Sequence, residues 1–197
     1  IMDLNSKYYS IVKKPIYNYL PSKELDKIYN AIKIEYPNIR TIIWDTTIIN
    51  EFTLHYAMTN YIIVETEKIA LELIVNLLKE RFFKKYTIIT EEILVKNKEI
   101  YLNSERILVV KGLHTKSPLI NDTKITIEKI MVDLYKDELY MYFQGKELET
   151  IYENIFNKYE INMKKLVSYA KYRTNIEEYI EFIYRLHIPD KYKLKER

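Results

Sequence analysis

Four short apolar runs, separated by helical patterns, constrain this sequence to a layered α/β fold. The runs are RTIIW (40–44), YIIVE (61–65), TIIT (87–90) and ILVVK (107–111). Runs of this length, rich in β-branched residues, are typical of strands that are buried on both faces of a sheet. Because helical segments alternate with them, we expect a mixed, partly parallel sheet with flanking helices, and we interpret the first two runs as central strands.

Amphipathic stripes predict the helices. Ser22 is a favourable N-cap for a helix that Pro37 ends, and a second apolar stripe runs from 67 to 82. Beyond Gly112 the strand signal fades, and Thr126 is placed to cap a further helix. Additional helices are expected at 146–158, 162–173 and 175–187. The C-terminal section is therefore predicted to be helical.

These patterns divide the chain into four parts. We predict an N-terminal arm at 1–22, an α/β core at 23–118, a helical section packed on the core at 119–188, and a basic tail at 189–197. A chain of 197 residues is long enough to bury one large core. One compact body is the expected arrangement.

The composition excludes several classes of site. With no cysteine, the chain has no disulfide, thiolate metal site or thiol nucleophile, and with only 2 glycines it lacks the glycine-rich loops that bind nucleotides. A net charge of +3 is too small to drive nucleic-acid binding by itself. The sequence has no apolar run near the roughly 20 residues that cross a bilayer. We therefore expect a cytoplasmic protein without a cofactor or a membrane partner.

Several segments resemble a known family. They are ITIEKIMVDLY (125–135), FQGKEL (143–148) and NMKKLVSYAKYR (162–173), together with IIWDT (42–46), NEF (50–52) and IIVETEK (62–68). In their order and spacing, over roughly residues 23–188, they resemble the C-terminal domain of AbiEi-type antitoxins and its uncharacterised bacterial relatives.

The resemblance implies a function. AbiEi-type antitoxins belong to type IV toxin–antitoxin systems of bacterial abortive infection, a form of phage defence, and oppose a nucleotidyltransferase toxin. Many also carry an N-terminal winged helix that makes them transcriptional regulators. Residues 1–22 are too few for a winged helix, so this chain is either a stand-alone relative or lacks its DNA-binding half. The resemblance therefore implies a non-catalytic, antitoxin-like regulatory protein whose functional partner is such a toxin.

A basic face on the predicted helix at 163–173 is the main candidate for binding. Helical spacing places Lys164, Ser168 and Lys171 on one side, with Lys165 and Tyr172 beside them. Arg173 is expected to extend this cluster, and the lysines of the tail to add to it. Basic and aromatic groups together suit contacts to phosphate in a nucleic acid or in a toxin's substrate. The alternative interpretation is a solvated face whose lysines keep the chain soluble.

The competing enzymatic hypothesis is a Mg²⁺-dependent nuclease of the PD-(D/E)XK type. Asp45 ends the first apolar run, and Glu65, Glu67 and Lys68 end the second. Carboxylates at the ends of adjacent strands can converge on Mg²⁺. However, Glu67 stands where a nuclease of this type carries its lysine. Glu67 and Lys68 are better explained as the start of a helix, where an acidic residue is favoured by the helix dipole.

The remaining reactive residues form no recognisable site. His55, His114 and His187 lack the spacing of a zinc site, and Ser117 and Ser168 lack the context of a nucleophile. We expect Trp44 to be a core residue. A third hypothesis is a module that binds only proteins, for which an exposed apolar patch is the discriminating feature.

Overall fold

A computed structural model describes residues 13–54, 60–101 and 106–193. The strands are β1 (Thr41–Asp45), β2 (Tyr61–Thr66), β3 (Thr87–Thr90), β4 (Ile107–Gly112), β5 (Leu119–Ile120) and β6 (Lys124–Ile125). The helices are α1 (Lys23–Glu35), α2 (Leu71–Phe82), α3 (Glu91–Lys96), α4 (Lys98–Tyr101), α5 (Ile127–Lys136), α6 (Lys146–Lys158), α7 (Met163–Arg173) and α8 (Ile176–Arg185). The predicted fold class is confirmed.

The main sheet has the strand order β1-β2-β4-β3. Strands β2, β3 and β4 run parallel, and β1 runs antiparallel to β2. The prediction that β1 is a central strand was wrong, because it lies at the end of this order. Its four buried residues, Thr41–Trp44, are covered on the sheet faces and by the neighbouring strand β6. An edge strand can therefore carry a continuous apolar run.

Helix α1 begins and ends where the sequence indicates, whereas α2 begins at Leu71 rather than at 67, after a short 3₁₀ turn at Lys68–Ala70. The Ser22 hydroxyl accepts a hydrogen bond from the Leu25 backbone N–H, which satisfies one of the free amides in the first turn of α1. Leu25, Ile28, Ala31 and Ile32 form its buried stripe. In α2 the buried residues again recur at helical spacing. Both helices cover the sheet with the faces that the apolar periodicity predicts.

One strand pair went unpredicted. Strands β5 and β6 form a hairpin beyond Gly112, where the sequence carries no strong strand signal. Asn121 and Asp122 make its turn with φ values of 49° and 57°, and these two residue types tolerate the left-handed region best after glycine. Each strand is only two residues long, so no alternation was available to signal it.

The C-terminal helices α5 to α8 are confirmed close to their predicted bounds. Helix α5 is buried from Ile127 through Leu134, because the sheet and helices α6 and α7 surround it. Trp44 is 1% exposed and contacts the ring of Tyr140, with 6.0 Å between the centroids. The strands and the C-terminal helices therefore share one hydrophobic core. Trp44 is a core residue, as expected.

The two ends of the described chain pack on this core. Residues 13–22 lead into α1 without helix or strand, and the ring of Tyr17 packs edge-on against the ring of Tyr159, with 5.1 Å between the centroids. In the predicted basic tail, Lys191 pairs with Glu160 and Lys193 pairs with Asp190, while Lys195 and Arg197 lie outside the described residues. Within the described ranges, no helix is long and apolar enough to cross a membrane.

Candidate functional site

Helix α7 presents the predicted basic face to solvent. Asn162 caps the helix by accepting a hydrogen bond from the Lys165 backbone N–H at 3.0 Å. Leu166, Tyr169 and Ala170 are buried and fix the rotation of the helix on the core. The opposite side exposes Lys164, Lys165, Ser168, Lys171 and Tyr172. Helical periodicity therefore placed these five residues correctly.

The charge on this side of α7 is not neutralised locally. Among residues 13–54, 60–101 and 106–193, no carboxylate forms an ion pair with Lys164, Lys165 or Lys171. Lys164 and Lys165 lie in the first turn of α7, at the positive end of the helix dipole, and this turn contains no acidic residue. Lysines there are slightly unfavourable for the helix. The Glu128 carboxylate lies at the same end and accepts a hydrogen bond from the Asn162 backbone N–H at 2.9 Å, so the uncompensated positive charge is that of the lysine side chains along the exposed side.

Lys116 joins this side of the helix from a different part of the chain. It lies in the turn after β4, and its Nζ is 5.6 Å from the centroid of the Tyr172 ring. The phenol ring nevertheless remains 63% exposed. No local pattern could have indicated this contact, because 55 residues separate the two positions. We call Lys116, Lys164, Lys165, Ser168, Lys171 and Tyr172 the basic face.

Arg173 does not belong to the basic face, and its predicted place there was wrong. Its side chain is 9% exposed, and its Nε lies 3.4 Å from Oδ1 of Asp133. The guanidinium also donates to Asp137. Arg173 therefore turns inward from the end of α7, where it ties the helix to α5 and to the residue that follows α5.

Arg173 is part of a buried charge cluster between the sheet and the C-terminal helices. Lys129 on α5 lies 2.6 Å from Oε1 of Glu65 on β2 and also pairs with Asp133. The indole Nε1 of Trp44 donates to the same Glu65 oxygen at 2.9 Å. The buried charge cluster consists of the carboxylates Glu65, Glu91, Asp133 and Asp137 and the cations Lys111, Lys129 and Arg173.

The positive and negative charges of this cluster are nearly equal in number, and they form ion pairs with one another. Burial acts to raise the pKa of Asp133, but Lys129, Lys111 and Arg173 outweigh it and lower that pKa to about 2. Burial likewise opposes the charge on Lys129, yet Asp133 and Glu65 raise its pKa above the usual value. Both groups therefore stay charged at neutral pH. Breaking one such pair leaves an uncompensated buried charge, so the cluster holds the sheet and α5 together.

Tyr169 extends the cluster to Ser117. The phenol donates to Oδ1 of Asp133 at 2.9 Å and accepts from the Ser117 hydroxyl at 3.3 Å. Burial and the Asp133 carboxylate raise the pKa of Tyr169, so the phenol stays protonated and offers no base to activate the serine. The hydrogen bonds of Ser117 and Tyr169 therefore anchor α7 to the turn that carries Lys116.

Two polar atoms at the cluster have no hydrogen-bond partner among the described residues. They are Oε2 of Glu65 and the hydroxyl of Tyr140. Both side chains are fully buried, and Lys111 Nζ lies 5.7 Å from the centroid of the Tyr140 ring. An unpaired buried hydroxyl lowers stability, because its desolvation is not compensated.

The residues of the nuclease hypothesis are not brought together. The convergence of Asp45 and Glu65 that this hypothesis requires does not occur, because β1 and β2 are antiparallel. Asp45 pairs with Ile62, three positions before Glu65. Since side chains alternate between faces and each residue advances about 3.3 Å, the two carboxylates lie on opposite faces, about 10 Å apart along the strand.

Their local partners also differ. Asp45 accepts hydrogen bonds from the Thr47 backbone and from Tyr19, at 3.0 and 3.5 Å, and caps the turn that follows β1. Glu67 is exposed and accepts from the Arg40 backbone N–H at 3.2 Å. The stem of Lys68 packs beside Gly112. The described residues contain no group of three or more His, Asp or Glu side chains positioned to hold a metal ion.

The histidines occupy separate positions. His114 is half-buried near the Arg173 guanidinium, and burial followed by that positive charge lowers its pKa. His187 is exposed, and its backbone N–H donates to Glu153 at 2.9 Å. His55 lies outside the described residues.

Comparisons with known proteins give a family but no activity. The profile of a family of unknown function (DUF6577) matches residues 1–188. Searches of curated proteins and of solved structures found no significant match.

Proposed function

The chain belongs to the DUF6577 family, and we propose from its own residues that it is a non-catalytic regulator that binds a polyanion through the basic face. The observation that carries the proposal is the exposure of three lysines on the side of α7 opposite its buried stripe. There Lys164, Lys165 and Lys171 are exposed, while Arg173, the one other cation of that helix, turns inward to Asp133.

The arrangement suits phosphate better than an isolated carboxylate. Lys164 and Lys171 are seven residues apart, which corresponds to about 10 Å along a helix. A row of ammonium groups over that length matches several successive phosphates. Each phosphate neutralised releases counterions, so binding of this kind weakens steeply as salt is added.

The biological role that we propose is that of an antitoxin. The sequence resemblance to AbiEi-type antitoxins supports it, and a regulator without turnover agrees with the separation of Asp45 from Glu65. The polyanion is then a nucleic acid or the nucleic-acid substrate of a nucleotidyltransferase toxin. We place this activity in the bacterial cytoplasm, where such a toxin acts.

The test reverses the charge of the basic face. The variant carries Lys164→Glu, Lys165→Glu and Lys171→Glu, and Arg173 is kept because its guanidinium holds the buried charge cluster. The control carries Lys23→Glu, Lys27→Glu and Lys79→Glu, at exposed positions of α1 and α2, so the net charge changes equally. Binding is measured by fluorescence anisotropy with labelled single-stranded and duplex DNA and RNA, with and without Mg²⁺.

We expect the basic-face variant to lose binding at least tenfold and the control to lose less than about threefold, with every strand remaining intact. Equal losses in both variants would show that only net charge matters. Mg²⁺-dependent cleavage by the wild type would contradict a non-catalytic role. For the antitoxin role, the two variants are co-expressed with a nucleotidyltransferase toxin of an AbiE-type system, and only the control should restore growth.

A further inference from the structure

We infer that the polyanion bound by the basic face is a single-stranded nucleic acid, with one base stacked on the ring of Tyr172. The inference rests on the proposed function and adds to it the class of ligand. Tyr172 is the residue that distinguishes this face from a simple row of lysines. Its aromatic ring is exposed to solvent. The other tyrosine of the same helix, Tyr169, is only 2% exposed.

The ring is held among cations. Lys116 Nζ lies 5.6 Å from its centroid, and Lys171 precedes Tyr172 in the chain. A cation near the ring restricts its motion, and both ammonium groups can contact the phosphates on either side of a stacked base. The ring still leaves 63% of its surface open for a ligand.

Stacking on Tyr172 distinguishes single strands from duplexes. Every base has a π-face, so an exposed aromatic ring binds unpaired bases with little sequence preference. In a duplex the bases are already stacked on each other, and only the lysines of the basic face can contribute. Loss of a base–aromatic stack weakens single-strand binding by about 5- to 100-fold.

The test compares Tyr172→Ala with Tyr172→Phe, which keeps the ring and removes only the hydroxyl. Dissociation constants are measured at one salt concentration for a single-stranded oligonucleotide, for the duplex of the same sequence, and for a single strand with abasic positions. DNA and RNA versions of the strands are compared. Because Tyr172 is exposed, the thermal midpoints of both variants should match that of the wild type.

We expect Tyr172→Ala to weaken single-strand binding by about 5- to 100-fold and duplex binding by less than twofold. Tyr172→Phe should bind like the wild type, and the abasic strand should bind the wild type as weakly as the normal strand binds Tyr172→Ala. Unchanged single-strand binding by Tyr172→Ala overturns the inference. If the lysine variant still loses binding in that case, the proposed function stands without stacking. If the wild type binds no strand, both fail.

Discussion

The ammonium group of Lys129 on α5 lies 2.6 Å from a carboxylate oxygen of Glu65 on β2, and each of these side chains is 1% exposed. The pair connects the sheet to the C-terminal helices at the centre of the molecule. Its partners include Asp133 and the indole of Trp44. Because neither charge meets solvent, each depends on the other for its compensation.

Removal of this ammonium group should be costly. We expect Lys129→Met to lower the free energy of unfolding by about 3–5 kcal/mol, because Glu65 and Asp133 lose their shared cation. Lys136→Met at the exposed C-terminal end of the same helix should change it by less than ~0.5 kcal/mol. Urea denaturation of both variants measures the difference. Similar values for the two would show that the buried pair contributes little.

Acid should weaken the fold through Asp133. Its pKa is lowered from 3.8 in the unfolded chain to about 2 in the folded protein. Such a carboxylate stabilises the fold fully above about pH 5, and this contribution of ~2 kcal/mol is lost as the pH falls through 4 towards 2. Carboxyl ¹³C NMR should show Asp133 titrating near pH 2, and the stability difference between wild type and Asp133→Asn should shrink over that range. Titration near 3.8 would contradict the ion pairs described.

Removal of the unpaired hydroxyl of Tyr140 should be harmless or favourable. We expect Tyr140→Phe to leave the free energy of unfolding unchanged or to raise it by up to ~1 kcal/mol, since no hydrogen bond is lost. Tyr152→Phe is the contrast, because its hydroxyl contacts the Met131 carbonyl oxygen at 2.5 Å, and it should cost about 1 kcal/mol or more. A comparable loss in both variants would reveal a bound partner at Tyr140.

Substitutions of Arg173 and Lys171 should have different effects, the first on stability and the second on binding. We expect Arg173→Ala to lower the thermal midpoint by several degrees, because Asp133 and Asp137 lose a buried partner. Lys171→Ala should leave the midpoint unchanged and weaken oligonucleotide binding instead. The reverse pattern would return Arg173 to the basic face.

Local periodicity explains what the sequence predicted well. Helix α7 and its exposed lysines follow from residues within a few turns of one another, and no distant contact had to be known. The same periodicity also indicates that Arg173 lies near the buried side of α7, since it follows the buried Tyr169 and Ala170 by four and three positions. Its charge alone had favoured the surface.

Contacts between distant segments explain what the sequence did not predict. Lys129 and Asp133 are four residues apart on one helix, but Glu65 is 64 positions from Lys129. The direction of β1 is set by its connection to β2. The apolar run itself is compatible with either a parallel or an antiparallel strand. For that reason the sequence alone did not rule out the nuclease hypothesis, in which Asp45 and Glu65 lie together. The contact between Lys116 and Tyr172 likewise depends on how β4 and α7 pack.

The most direct test of polyanion binding by the basic face is the salt dependence of single-strand binding by the wild type and by the triple Glu variant. Each phosphate contact contributes a slope of about −0.7 to the logarithm of the association constant against that of salt. With four exposed lysines, we predict a slope of roughly −2 to −3 for the wild type, falling towards zero in the variant. The same slope in both proteins would contradict a binding site on α7.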